Sequence, residues 1–141
     1  MDGLRDMNGI WSGMYDYHQN DDVVKFTIWF DDQEQTLVGT MTQPNTFIIG
    51  GDADISADIK GIRDGYSFQF GKHYRFPEPK RPATTFYNGI INDGFTEAKG
   101  TWHIPHEPDS SGNFALVRMT GGVGVPLARL RAVLAELTNQ R

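Results

Sequence analysis

The feature that most constrains this chain is a strict alternation of side-chain types, which begins near the N-terminus and returns along most of the sequence. Over residues 9–17, one face of an extended chain carries Trp11, Gly13, Tyr15 and Tyr17, and the intervening residues lie on the other face. Tyrosine and tryptophan suit a pleated, half-buried surface, and a glycine among them marks a bend or a close backbone approach. The simplest fold that uses all such segments is one closed antiparallel barrel with an aromatic interior.

Turn-forming residues divide the chain into eight predicted strands of an up-and-down, all-β barrel. Clusters of Asn, Asp, Gln and Gly at residues 19–22, 31–35 and 92–94 predict short connections. Prolines remove backbone donors, so residues 76–82 and 105–112 are predicted to be long loops. The predicted strands are residues 9–18, 23–30, 36–42, 46–62, 66–75, 84–91, 95–104 and 113–119, so the barrel spans about 9–119.

The fourth predicted strand is the least regular. Gln43 to Asn45 is a predicted turn, and Gly50 and Gly51 interrupt the apolar run that follows it. We interpret residues 46–62 as one bent strand with a glycine bulge, and two separate strands are the alternative. Two strands would invert the end of the barrel at which every later loop lies.

An amphipathic helix is predicted after the last strand, over about residues 126–140. Pro126 suits the first turn of a helix, and leucines follow it at helical spacing. The leucines of this apolar stripe are Leu127, Leu130, Leu134 and Leu137. We expect the stripe to pack on the outside of the barrel, and a contact between two copies of the chain is the alternative.

Length and composition favour a single domain, residues 1–141, with a net charge of −5. Clustered Lys and Arg residues are absent, which argues against nucleic acid as a partner. The chain has no cysteine, and therefore no disulfide and no thiolate chemistry. No apolar signal segment or membrane-spanning run is found in the sequence, so we expect a cytoplasmic protein without a membrane partner.

Loop parity predicts one closed and one open end for this barrel. In an up-and-down barrel of eight strands, connections 1–2, 3–4, 5–6 and 7–8 lie at one end, and they include the long proline-bearing loops. The other connections are compact, and short turns close a barrel whereas long loops can surround an opening. Trp11 lies near the start of strand 1 and Arg118 near the end of strand 8, so both are predicted at the closed end.

Gly9-Ile10-Trp11, followed by Arg118 near the end of the last strand, resembles the closed-end signature of lipocalins and their wider calycin group. In that group the first-strand tryptophan stacks on an arginine of the final strand, and a C-terminal helix follows. The chain lacks the cysteine pair and the Thr-Asp-Tyr motif of secreted lipocalins. The resemblance implies a lipocalin-like barrel with one open mouth and an interior cavity, in which the Trp11–Arg118 pair is structural.

Barrels of this size hold either packed side chains or one small ligand. Several of the predicted inward residues are tyrosines, and buried hydroxyls are costly in a dry core unless they find partners. Near the mouth they would orient a planar, mostly apolar ligand, whereas the alternative is that they only fill the core. The predicted ligand-binding residues are Tyr15, Tyr17, Phe26, Phe68, Lys72, Tyr74, Tyr87 and Trp102, and Tyr66 is also predicted to point inward.

Lys72 is the most unusual residue of this set, because it shares a strand face with Phe68, Phe70 and Tyr74. Buried lysines are rare unless paired, and loss of solvation lowers the pKa of such a group. A lysine in this place could bind a ligand carboxylate or act as a base or amine nucleophile, so Lys72 and Tyr74 are the candidate catalytic residues. A bulge in the strand, or a rim position with the ammonium in solvent, is the alternative.

No metal site and no cofactor are expected. The histidines lie on outward-facing strand positions or in a loop, and no nucleotide or phosphate motif is found. These histidines are His18, His73, His103 and His106.

Three functions fit these patterns. The preferred one is binding of a small apolar or aromatic molecule in the barrel. The second is a small barrel enzyme of the decarboxylase, isomerase or cyclase type, in which tyrosines and Lys72 perform acid–base chemistry. The third is a protein-interaction module with a packed barrel. The outward positions of Trp29 and Phe86 favour this third function or a homodimer.

Overall fold

The computed structural model of the protein describes residues 6–44, 54–75 and 84–139. Eight strands form a closed antiparallel barrel, in which each strand pairs with the next along the chain and the last pairs with the first. The strands are β1 (Gly9–Tyr17), β2 (Asn20–Gln33), β3 (Thr36–Pro44), β4 (Asp54–Asp64), β5 (Ser67–Tyr74), β6 (Thr85–Ile91), β7 (Glu97–Ile104) and β8 (Glu107–Arg118). This topology confirms the predicted all-β class and the up-and-down barrel.

The alternation of side chains places the core inside the barrel. In β2, Phe26, Ile28 and Phe30 are buried, and the residues between them are exposed. Because a strand that slips by one residue turns its whole apolar face to solvent, this pattern fixes the register with both neighbouring strands. Where the predicted strands overlap the described ones, their inward faces therefore agree.

The helix α1 (Leu127–Asn139) packs on the outside of the barrel, as predicted, against β1, β7 and β8. Leu130 and Val133 are buried there against Met14 of β1 and Ala115 of β8. The chain before the helix is held by the Ser12 hydroxyl, which accepts a hydrogen bond of 3.1 Å from the Val125 amide.

The predicted length of one loop around the opening was wrong. The segment 105–112 is mostly strand: β8 begins at Glu107, and only Pro105 and His106 form the turn from β7. The first connection is also a two-residue turn, since β2 begins at Asn20. Polar residues resemble a loop in sequence, but here they belong to a strand, in which Glu107, Ser111 and Asn113 pair with β7. The two remaining connections at this end, residues 45–53 and 76–83, lie outside the described residues.

β4 is one strand, paired with β3 from Asp54 to Ile62. The part of the fourth-strand prediction that concerns residues 46–53, with its glycine bulge, lies outside the described residues. With one strand here, Trp11 and Arg118 fall at the same end of the barrel and pair directly in the β1–β8 ladder.

Paired charges and aromatic rings close this end of the barrel. The Arg118 guanidinium lies 4.7 Å from the centre of the Trp11 ring and donates hydrogen bonds to the carbonyls of Phe95 (2.9 Å), Asn8 and Asp6. The Trp11 indole N–H donates to the Met7 carbonyl at 3.0 Å. The predicted stacking of Trp11 on Arg118 is confirmed, and its contacts are those of a structural plug.

An ion pair between the buried Asp32 carboxylate and the partly buried Arg63 guanidinium reinforces the closed end. Asp32 Oδ2 accepts hydrogen bonds from Arg63 Nε at 2.5 Å and from the Met7 amide at 2.9 Å. The Arg63 guanidinium in turn lies 5.4 Å from the centre of the Phe95 ring. Each charged group of this cluster therefore has an opposite charge or a ring beside it.

Stacked and edge-to-face rings fill the middle of the barrel. Phe70 stacks on Tyr87 with ring centres 4.8 Å apart, and Phe114 meets Tyr87 edge-on at 5.1 Å. Gly89 makes room for this layer, because a Cβ there would lie 2.7 Å from the Phe68 ring and 2.8 Å from the Phe114 ring. The aromatic layer separates the closed end from the open end.

The outer face carries exposed apolar side chains, as the parity of Trp29 and Phe86 predicted. Trp29 is 48% exposed and Phe86 is 40% exposed. Among the described residues, no helix has the length and apolar character needed to cross a membrane.

Candidate functional site

A cavity of about 330 Å³ opens at the end of the barrel opposite to Arg118. Inward-facing positions of five strands form its wall, because side chains two residues apart on a strand share a face. Aromatic side chains supply most of the lining, and Lys72 supplies its buried cation. The described lining residues are Tyr15, Tyr17, Lys72, Tyr74, Thr85, Tyr87, Trp102, Ile104, Glu107 and Ser110.

Lys72 points into the barrel and is only 2% exposed, so strand β5 has no bulge that turns it outward. Its ammonium donates hydrogen bonds of 3.1 Å to Gln43 Oε1 and of 3.1 Å to the Tyr87 hydroxyl. The rings of Tyr74 and Tyr15 lie 4.7 and 4.8 Å away from Nζ. Among the described residues, no carboxylate forms an ion pair with it.

The protonation of Lys72 follows from these contacts and from its burial. Loss of water around an ammonium whose described partners are all neutral favours the uncharged amine. Burial therefore lowers the pKa of Lys72 from 10.5 to about 7. Near neutral pH this side chain holds a large fraction of neutral, nucleophilic amine.

Gln43 is a central residue that the sequence reasoning missed. It lies in β3, not in a turn, and it is 2% exposed. Its amide donates to the Tyr15 hydroxyl at 3.0 Å, and its carbonyl accepts from Lys72 and, at 3.4 Å, from the Tyr74 hydroxyl. The inward positions Leu37 and Met41 of the same strand, extended by one more step of two, would have identified it.

Gln43, Lys72, Tyr15, Tyr74 and Tyr87 form one hydrogen-bonded group, which we call the Lys72 cluster. Burial raises the pKa of each of its three tyrosines above 10, and electrostatic repulsion among the hydroxyls adds to the shift of Tyr15 and of Tyr87. The phenols therefore stay protonated and act as hydrogen-bond donors. The cluster offers a neutral amine and neutral O–H groups at the end of an aromatic cavity.

Trp102 is held rigidly on the cavity wall. Its indole N–H donates to the Asp16 carbonyl at 2.8 Å, and its ring meets Tyr17 and Tyr15 edge-on at 5.2 and 5.6 Å. Gly112 permits this contact, because a Cβ at that position would lie 2.6 Å from the indole nitrogen. A fixed ring of this kind can stack on a planar ligand without losing much side-chain freedom.

Most of the predicted ligand-binding residues meet at this cavity. Its wall contains Tyr15, Tyr17, Lys72, Tyr74, Tyr87 and Trp102. Phe26 and Phe68 are buried in the packed core and do not line the cavity. The interior position predicted for Tyr66 was wrong, since this side chain is 41% exposed beside the β4–β5 turn and packs on Phe95.

The histidines lie outside the cavity lining. His18 and His73 make hydrogen bonds to the hydroxyls of Ser111 and Thr84 on the exposed surface, and His103 stacks on Phe86. No group of three or more His, Asp or Glu side chains in the described part of the chain could hold a metal ion.

Comparison of the sequence with protein families and with curated proteins identifies no relative. No protein-family model and no curated protein sequence matches the chain. The functional inference therefore rests on the geometry of the barrel and its cavity.

Proposed function

We propose that the protein binds one small, mostly apolar or aromatic molecule in the cavity at the open end, in the manner of a lipocalin-like barrel. The single observation that carries this proposal is an aromatic cavity that ends on a buried lysine without a carboxylate partner among the described residues. Ligand sites are typically concave and mostly apolar, with a few polar groups that fix orientation.

The volume and the polar groups define the ligand class. A cavity of about 330 Å³ lies at the lower end of the usual range, so it suits a molecule with one or two rings. Tyr17, Trp102 and Ile104 offer apolar surface for its body. Lys72 and Tyr87 offer N–H and O–H donors, so the end of the ligand that reaches them carries a hydrogen-bond acceptor.

The packed interaction module is a weaker candidate, because the barrel holds an open cavity of ligand size. The enzyme of the same shape has one observation in its favour. The neutral amine of Lys72 and the protonated hydroxyl of Tyr87 lie 3.1 Å apart, which is the distance over which a base and an acid exchange a proton.

Mass spectrometry and calorimetry test the binding proposal. We expect the purified protein to release a small molecule on denaturation, or, if it is empty, to bind benzyl alcohol with one site per chain. Ile104→Trp should abolish this binding, because the larger ring fills the cavity beside Trp102. Ile62→Trp places the same ring on the outer face and should leave binding unchanged. An empty protein that binds neither benzyl alcohol nor indole contradicts the proposal.

The exposed apolar side chains support a second copy of the chain as a partner on the outer face. Trp29 on β2 and Phe86 on β6 are exposed four strands apart in the closed barrel, so a two-fold contact would bury only one of them. Light scattering after gel filtration should then give twice the mass of one chain, and Trp29→Lys or Phe86→Lys should return it to the monomer. A monomer at every concentration contradicts the homodimer.

A further inference from the structure

The Lys72 cluster has a feature that binding of an apolar body does not require. Its amine has only neutral partners among the described residues: Gln43, Tyr87 and two aromatic rings. At the closed end, by contrast, Arg63 faces the carboxylate of Asp32. If Lys72 served only to pack the barrel, an apolar residue at this position would give a more stable fold, because a buried ammonium without a counter-ion is destabilising.

The geometry places the amine within reach of the cavity and favours its uncharged form. Lys72 is buried by the barrel wall, yet it lines the cavity together with Tyr74, Thr85 and Tyr87. Desolvation lowers its pKa to about 7, so a neutral lone pair is present at physiological pH. Lysines desolvated in an apolar pocket are the ones that act as amine nucleophiles.

The same cluster supplies an acid for the oxygen of a ligand. The Tyr87 oxygen accepts a hydrogen bond from Lys72, which leaves the hydroxyl hydrogen of Tyr87 for another acceptor. Burial raises the pKa of Tyr87 and keeps this hydrogen in place. A carbonyl group held at Lys72 would therefore meet a nucleophile and a proton donor at once.

We propose that Lys72 Nζ condenses with the carbonyl group of a small aromatic aldehyde or ketone and holds it as an imine in the cavity. This inference rests on the proposed binding function and names the reactive group of its ligand. The tyrosine rings around Nζ also favour the protonated imine, because aromatic faces attract a cation.

The reaction balances without an oxidant or a reductant. The lone pair of Nζ forms a C–N bond to the carbonyl carbon, and the π electrons of the C=O bond move to oxygen, which takes up a proton. Cleavage of the C–O bond then forms the C=N bond. Both hydrogens of the neutral amine leave on the departing oxygen, so an amine and an aldehyde give an imine and one water molecule.

Reductive trapping tests this reaction on the whole, unmodified chain. The protein is incubated with benzaldehyde and sodium cyanoborohydride, and modified lysines are located by peptide mapping. Lys25 and Lys60 are exposed and serve as internal controls in the same sample. We expect Lys72 to be modified at least tenfold faster than either control, with saturation by benzaldehyde and protection by benzyl alcohol.

Two further measurements separate the inference from the binding proposal. Lys72→Met should lose the fast modification, whereas Lys60→Met, on the exposed surface, should keep both the modification of Lys72 and the binding of benzyl alcohol measured by calorimetry. If benzyl alcohol binds the unmodified chain but Lys72 reacts no faster than Lys60, the imine is overturned and the binding function stands. If neither binding nor modification occurs, both are overturned.

The competing possibility is a ligand whose carboxylate pairs with the charged form of Lys72. Binding of benzoate, measured beside the modification by benzaldehyde, decides between this ligand and the imine. Benzoate would pair with the charged form of Lys72, so its affinity would fall as the pH rises through about 7. Modification by benzaldehyde needs the neutral amine and would rise over the same range. Tight binding of benzoate together with slow modification of Lys72 overturns the imine.

Discussion

The two ends of the barrel provide opposite surroundings for a basic side chain. At the closed end, Arg63 faces Asp32, and Arg118 donates to backbone carbonyls and stacks on Trp11. At the open end, Lys72 has a side-chain amide, a hydroxyl and aromatic rings as its described partners. An opposite charge beside a cation offsets the cost of its burial, whereas a buried cation without one is costly and indicates a site that a ligand completes.

The largest expected effect is a loss of stability when the closed end of the barrel is altered. Trp11→Ala should lower the free energy of unfolding by about 3 to 5 kcal/mol, because it removes a fully buried ring and the surface on which Arg118 stacks. Urea denaturation measures the loss. Trp29→Ala removes an exposed ring of the same size and should cost less than about 1 kcal/mol. Equal losses for the two variants would show that the closed end is not a structural plug.

The second prediction concerns how stability depends on pH at the open end. The pKa of Lys72 is about 7 in the folded protein and 10.5 in the unfolded chain. Between these values the unfolded chain binds a proton that the folded protein does not, so folding gains about 1.4 kcal/mol for each pH unit of increase. Below pH 7 both states are protonated at Lys72, and its contribution no longer changes.

Lys72→Met isolates this effect. From pH 7 to 9, the free energy of unfolding of the natural chain should rise relative to that of Lys72→Met, by urea denaturation at each pH. The series stops at pH 9, because the tyrosines of the unfolded chain ionise with a pKa of about 10. Lys60→Met, on the exposed surface, is the control. A difference that stays constant across this range would mean that Lys72 is charged in the folded state.

The third prediction compares the loss of stability when an ion pair is removed at a buried carboxylate and at an exposed one. Asp32→Asn should cost about 2 kcal/mol, because the Asp32 side chain is 1% exposed and Arg63 loses its counter-charge. Asp58 pairs with Arg75 on the surface, where both side chains are half-exposed, and Asp58→Asn should cost no more than about 0.5 kcal/mol. Thermal unfolding at low and high salt separates the two, since only the exposed pair should weaken with salt.

The last prediction concerns a variant that gives the open end a counter-charge, as the closed end has. Gln43→Glu places a carboxylate beside the amine of Lys72 and should raise the pKa of Lys72 toward its usual range. Modification of Lys72 by benzaldehyde at pH 7 should fall about tenfold for each unit of this rise. Gln69→Glu, on the outward face of the same strand as Lys72, should leave the rate unchanged. An unchanged rate in Gln43→Glu would contradict the role given to the neutral residues that are described around Lys72.

Alternation along the chain was sufficient to predict the fold, because a barrel buries every second residue of each strand. The inward positions of Tyr15, Lys72 and Trp102 follow from that rule alone. The Trp11–Arg118 contact was predicted as well, because loop parity put both residues at one end. The same rule failed at Tyr66, which lies where a strand ends and its alternation no longer decides burial.

The polar centre of the site was harder to predict, since it depends on which strand positions meet across the barrel. Gln43 is followed by Pro44 and Asn45, two residues typical of turns, so the local signal masked a strand position that is buried. Its partners Tyr15 and Lys72 lie on other strands, at sequence separations of 28 and 29 residues. No local pattern carries such a contact.

The placement of the three tryptophans gives the protein a built-in set of optical probes. Trp11 lies in the closed end, Trp29 on the outer face and Trp102 on the cavity wall, so their indoles differ in contact with solvent. A chain in which Trp11 and Trp29 are replaced by Phe would emit from the cavity alone. The emission of that chain would follow a ligand at the mouth, while Trp29 alone would report on the outer surface.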